Sequence, residues 1–221
     1  MMTTRGLAVA ILLASPVALA APDTFGTGDG HTGILNVPMG QSMTVNRYAA
    51  VTANLAAGET TINVDSTAGF NAKDLILVWQ VAGYPAPMSG NQGPFDLSAN
   101  AAGHFELARV MAVDAMNNKL MLAAGFQAAF TGSATQVVLV PEYATVTLGV
   151  NASITATPWD GKKGGVIAFM VQGTLQMGTG ASVRADGAGF HGGTFANGNN
   201  AMGCMGGDEA APGGEPKGEG V

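Results

Sequence analysis

Beyond the first twenty residues, apolar positions fall in short runs that alternate with polar ones or fill a whole strand. None follows the three-to-four spacing of an amphipathic helix. Arg47–Leu55, Thr60–Val64, Leu75–Val81, Phe105–Asp114, Lys119–Leu122 and Thr135–Tyr143 are rich in β-branched and aromatic residues and predict strands. Ala57-Gly58-Glu59 is a hairpin signal between the first two, and Asn117-Asn118 marks a turn before Lys119. Strands with turn signals at this spacing predict a small β-barrel or sandwich. Ala123–Phe130 has room for a single helical turn.

Tyr143–Ala156 alternates Val146, Leu148 and Val150 against threonine, glycine and alanine, the pattern of a half-buried strand. In Gly164–Gly193, the apolar runs Val166–Val171, Thr174–Met177 and Ala181–Ala185 are separated by glycines at intervals too short for a helix. Runs this close suit a strand that turns a corner and continues, as in a β-solenoid coil or a tight meander. Of the 33 glycines, 18 lie from Asp160 onward, so the C-terminal part differs in kind from the part before it. The expected fold is all-β. Residues 1–20 are a leader helix, 21–45 a flexible entry segment and 46–158 a β-barrel or sandwich-like module. Residues 159–193 are glycine-punctuated solenoid-like strands or a sandwich start, and 194–221 a glycine-rich disordered or truncated tail.

The leader reads as a signal peptide. Arg5 precedes the apolar run Leu7–Ala14, Pro16 breaks it, and Ala18-Leu19-Ala20 supplies small residues for cleavage after Ala20. The run is shorter than the ~20 apolar residues a membrane-spanning helix needs. Secretion or display on the outer cell surface is the expected location. The chain carries 9 basic and 15 acidic residues, a net charge of −6, which argues against nucleic acid as a partner. Cys204 stands alone, so no internal disulfide staples the fold, and its partner is open.

Two stretches match the glycine pattern of a dinucleotide loop. Gly28–Gly33 has no strand before it, and Gly187–Gly192 has no helix after it, so both read as turns. His31, His104 and His191 each sit in a glycine-flanked loop, where a surface role outweighs a ligand role. Among the acidic residues Asp65, Asp74, Asp96, Glu106, Asp114, Glu142, Asp160 and Asp186, nothing in the sequence singles out two as an acid and a base. Asp65, Asp74, Asp160 and Asp186 read as turn residues. Lys162 and Lys163 read as a solvated hairpin tip, and the long loop Gly83–Gly103 as an exposed, variable one. No catalytic residue, cofactor or metal site is assigned; calcium dependence stays open.

The tracts AGETTINVDSTAGFNAKDLILVWQ (57–80), FELARVMAVD (105–114), QVVLVPEYATVTL (136–148) and WDGKKGGVIAFMVQGTLQMGTGASVRADGAGFHGG (159–193) together resemble a known group. They are similar to the N-terminal region of large secreted adventurous gliding motility proteins of the AgmC type, from myxobacteria and relatives. The resemblance implies a surface protein whose β-module leads into a long glycine-rich body, with a link to gliding or adhesion and no catalytic residue. It implies too that this chain, much shorter, is a fragment. The expected function is therefore structural or adhesive, without catalysis, with surface polysaccharide or other cell-envelope proteins as partners. The alternatives are the N-terminal fragment of a secreted β-helix polysaccharide lyase or glycoside hydrolase, or of a tail-fibre-like receptor-binding protein.

Overall fold

A computed structural model describes residues 25–83 and 101–191. The segment expected to be a signal peptide, most of the Gly83–Gly103 loop with Asp96, Cys204 and the glycine-rich tail lie outside the described residues. The fold is all-β, as the apolar pattern requires. One 3₁₀ turn, Gly132–Ala134, is the only helical element among the described residues; Ala123–Phe130 forms no helical turn.

Among the described residues, thirteen strands build two units that share one chain path. The first unit is a stack of three coils. Strands β1 (Gly33–Val37) and β2 (Ser42–Met43) form the first coil. β9 (Glu142–Leu148) and β10 (Ser153–Thr155) form the second. β11 (Met170–Val171), β12 (Leu175–Met177) and β13 (Ser182–Arg184) form the third. The named strands of successive coils pair in parallel: Leu35 to Val146 to Leu175, Val37 to Leu148 to Met177, and Ser42 to Ser153 to Ser182. This is a β-solenoid. Its core joins Leu35, Val37, Tyr143, Val146, Leu148, Ala152 and Ile154.

The corner between the two faces repeats in each coil. Gln41, Ala152 and Ala181 donate their N–H groups three residues back, to Pro38, Gly149 and Gly178. The residue before each donor has a left-handed backbone: Gly40 (φ 70°), Asn151 (φ 55°) and Gly180 (φ 72°). Glycine and asparagine tolerate this region, and most residues do not. Inter-coil bonds run through the same corner, from Gly40 N to Val150 O and from Asn151 N to Thr179 O, each 2.9 Å.

The second unit lies between β2 and β9. β3 (Tyr48–Ala50), β4 (Thr61–Asn63), β5 (Leu75–Gln80), β6 (Phe105–Asp114), β7 (Lys119–Leu122) and β8 (Thr135–Val140) form an antiparallel sheet in the order β3-β8-β5-β6-β7-β4. The sheet curls into a half-barrel whose edges meet at a bridge between Val51 and Val64. That bridge is what the Ala57-Gly58-Glu59 hairpin signal becomes, because β3 pairs with β8 and β4 with β7. Leu55, Ile62, Ile76, Val78, Val110, Leu120, Phe126 and Val137 fill the interior.

The strands assign residues to the solenoid differently from the sequence pattern. The segment 21–45, expected as a flexible entry, contains β1 and β2. Strands β9 and β10, expected as the end of the 46–158 module, pair as the second coil. The physical reason is the insertion. Coils two and three repeat at a step of 29 residues (146 to 175), whereas coils one and two are 111 apart (35 to 146). A repeat interrupted by a whole barrel leaves no local period.

Candidate functional site

The two units meet where the chain leads into the second and third coils, and polar contacts join them there. Gln136 on β8 is fully buried and clasps the backbone of Gly164: Gly164 N donates to its Oε1 at 2.8 Å, and its Nε2 donates to Gly164 O at 3.1 Å. Asn46 Nδ2 donates to Leu139 O and Ala168 O, and Tyr48 Oη to Val166 O. Lys163 reaches Asp65 of the barrel as an ion pair, so the expected solvated tip holds the two units together through one of its lysines.

Polar side chains converge beside this seam. Asp29 and His31 come from the turn before β1, Asp74 from the turn before β5, Arg109 from β6, and Glu142 opens β9. Glu142 is fully buried. Arg109 Nη1 pairs with its Oε2, while Arg109 Nη2 and Asp29 N each donate to Oε1 at 3.2 Å. Arg109 also donates to Lys73 O at 3.0 Å. A buried carboxylate needs such a partner, since an unpaired buried charge is strongly unfavourable.

His31 lies between three carboxylates. Its Nδ1 is 2.5 Å from Asp29 Oδ1 and 3.5 Å from Glu142 Oε2, and its Nε2 is 3.9 Å from Asp74 Oδ1. An ionised carboxylate only accepts, so Nδ1 carries the proton shared with Asp29 and Nε2 faces Asp74. Burial works against the charge of Asp29, but hydrogen bonds from the His31 backbone and ring outweigh it and hold that carboxyl below its usual range. Burial dominates at Asp74 and pushes its carboxyl up, against the pull of the Asn71 N–H and of His31.

Of these groups, His31 and Asp74 border a cleft of about 410 Å³ between barrel and solenoid, lined also by Arg47, Asn71 and Tyr143 among others. Asp29, His31 and Glu142 are also, among the described residues, a group close enough to hold a metal ion. The Arg109 guanidinium already neutralises Glu142 and occupies both of its oxygens, which leaves a cation little charge to meet there.

The sequence pattern predicts a surface loop role for His31 and a turn role for Asp74. Asp74 does cap a turn, accepting from Asn71 N at 2.6 Å, and Asp160 does the same for Lys162 and Lys163. What the sequence did not signal is the meeting of Asp29, His31, Asp74, Arg109 and Glu142. Nothing in the sequence pattern marks Asp29 or Arg109. The available clue was the glycine spacing: a Cβ at Gly28 would lie 3.0 Å from Met170 Cβ and one at Gly30 2.7 Å from Gln172 Oε1, so these glycines let the turn lie flat on the coils. Glu106 accepts from Gln127 N and Ala128 N, and Asp114 from Met116 N and Asn117 N; both stabilise turns. His104 and His191 are exposed and belong to no such cluster among the described residues.

No protein-family model and no curated protein matches this chain. Among solved structures it is similar in fold to phage tailspikes. The tailspike protein gp49 from Pseudomonas phage LKA1 matches with 18% identity and a TM-score of 0.30, over 55% of this chain and 22% of the tailspike. The Pseudomonas phage phi297 tailspike gp61 matches with 10% identity and a TM-score of 0.33, over 68% and 24%. The gp54 tailspike of Acinetobacter baumannii bacteriophage AP22, solved in complex with A. baumannii capsular saccharide, matches with 8% identity and a TM-score of 0.34, over 69% and 28%. The chain thus spans about a quarter of the length of these proteins, and the likeness is one of β-architecture alone. No helix among the described residues is long and apolar enough to cross a membrane.

Proposed function

We propose that this protein is an exported, non-catalytic attachment protein of the cell surface, in which a solenoid stem carries an inserted barrel and the cleft between them holds polysaccharide. The observation that carries the reading is the junction cleft itself, a concave site lined by His31, Arg47, Asn71, Asp74 and Tyr143. Sugar rings present many hydroxyls, and a wall that mixes carboxylate, imidazole, amide and guanidinium groups offers both acceptors and donors. The main carboxylates nearby are already engaged structurally. Glu142 is tied to Arg109, and Asp74 caps the Asn71 turn. A role in adhesion during gliding is of the kind the sequence resemblance implies.

The test is binding of purified protein to a panel of bacterial surface polysaccharides, with Asp74→Asn and His31→Ala as cleft variants. Saturable binding that both variants weaken supports the reading. Binding unaffected by either variant places the ligand elsewhere and overturns it.

A second reading, a hydrolase or lyase centred on His31, draws support from one contact. The Asp29–His31 pair orients an imidazole with Nε2 toward the cleft, as a general base requires.

A further inference from the structure

Arg47 is a cation of this cleft whose charge meets no carboxylate partner among the described residues. Arg109 is bound by Glu142, and Lys163 by Asp65. Arg47 lines the cleft, is exposed, and makes no ion pair among the described residues. Its position is nevertheless fixed. The Arg47 carbonyl accepts from Leu139 N at 2.8 Å, which ties the backbone to β8. The side chain lies along Gly69, where an added Cβ would stand 3.4 Å from Arg47 Cγ and 3.5 Å from Cδ and Nε. Gly69 itself has φ +84°, a conformation that favours glycine. Asp74, with His31 beside it, contributes to the same lining.

We infer that the cleft recognises an acidic sugar, with the ligand's carboxylate received by Arg47 and its hydroxyls by Asp74, Asn71 and His31; this rests on the polysaccharide reading above. A planar guanidinium takes a carboxylate through two parallel hydrogen bonds, a match a lysine would not give. The nearby carboxylates Asp74 and Asp29 repel a second negative charge, so the lining suits a singly charged uronate better than a doubly charged phosphate. Hydroxyls beside that carboxylate are donors, which is what Asp74 needs. The protein's net charge of −6 works against an acidic polymer at long range, so recognition depends on this local contact.

The experiment compares an oligogalacturonate with its carboxyl-reduced, neutral counterpart by titration calorimetry on the full chain, using the parent and Arg47→Gln. The acidic oligosaccharide is expected to bind at least about tenfold more tightly than the neutral one, and Arg47→Gln to remove that preference. The variant's thermal midpoint should match the parent's, which separates loss of recognition from loss of fold. Equal affinity for both oligosaccharides overturns the assignment of Arg47 and leaves the polysaccharide reading standing. Binding of neither overturns both.

Discussion

Arg109 on the barrel and Glu142 on the solenoid form an ion pair in which the carboxylate is fully buried and the guanidinium side chain is 18% exposed. It joins two units whose cores are otherwise distinct, the barrel cluster around Ile76 and Val137 and the coil cluster around Val146 and Ile154. Arg109→Met leaves Glu142 buried without its cation and is expected to cost about 3–5 kcal/mol in urea unfolding. Adding Glu142→Gln to that variant should recover a substantial part of the loss. Strictly additive single losses would mean that the two charges act independently.

The repeated corner makes a second prediction. At Gly180 the backbone is left-handed and an added Cβ would stand 2.2 Å from Asn151 Oδ1. Gly180→Ala is therefore expected to destabilise by more than about 1 kcal/mol. Asn151→Gly, at the matching position one coil earlier, should be tolerated with a far smaller change. Chemical denaturation of both variants settles the comparison; an equal loss at the two sites would show that the corner does not repeat as described.

Much of this fold was legible in the sequence, and the reason it was not fully legible is specific. Leu75–Gln80 and Phe105–Asp114 carry their strand character locally, and the glycines around Leu175 and Ser182 announce tight corners. Gly40-Gln-Ser42, Asn151-Ala-Ser153 and Gly180-Ala-Ser182 are one corner written three times. The first copy stands 111 residues from the second (42 to 153), so it reads as part of a loose entry segment. The site was less legible still. Its five side chains come from four separate stretches, and no spacing rule links Asp29 to Arg109 or Glu142.

Asp74 gives the pH dependence. Burial holds its folded-state carboxyl above the ordinary value of 3.8, so the folded chain binds that proton more tightly than the unfolded chain. The stabilising contribution is present below the ordinary value and is lost as pH rises through the raised one. Asp74→Asn keeps an oxygen to accept from Asn71 N and removes the charge. Its thermal midpoint should gain on the parent's between about pH 3 and about pH 7, with the smallest difference at the acid end. A gain that shrinks with rising pH would reverse the assigned sign.

The Gln136–Gly164 clasp predicts a fourth outcome. Gln136→Leu preserves bulk but leaves the buried N–H and C=O of Gly164 without partners. A loss of about 1–3 kcal/mol is expected, accompanied by faster amide exchange at Gly164. Unchanged exchange would mean that other contacts hold this seam.

The central claim is that the junction cleft holds polysaccharide without cutting it. The direct measurement is a time course in which the full chain is kept saturated with a polysaccharide it binds, while reducing ends and unsaturated ends are assayed together. The account predicts a stable complex and no rise in either signal. Ends that accumulate in proportion to time and protein, and that disappear with His31→Ala, would contradict it and make the cleft a catalytic site.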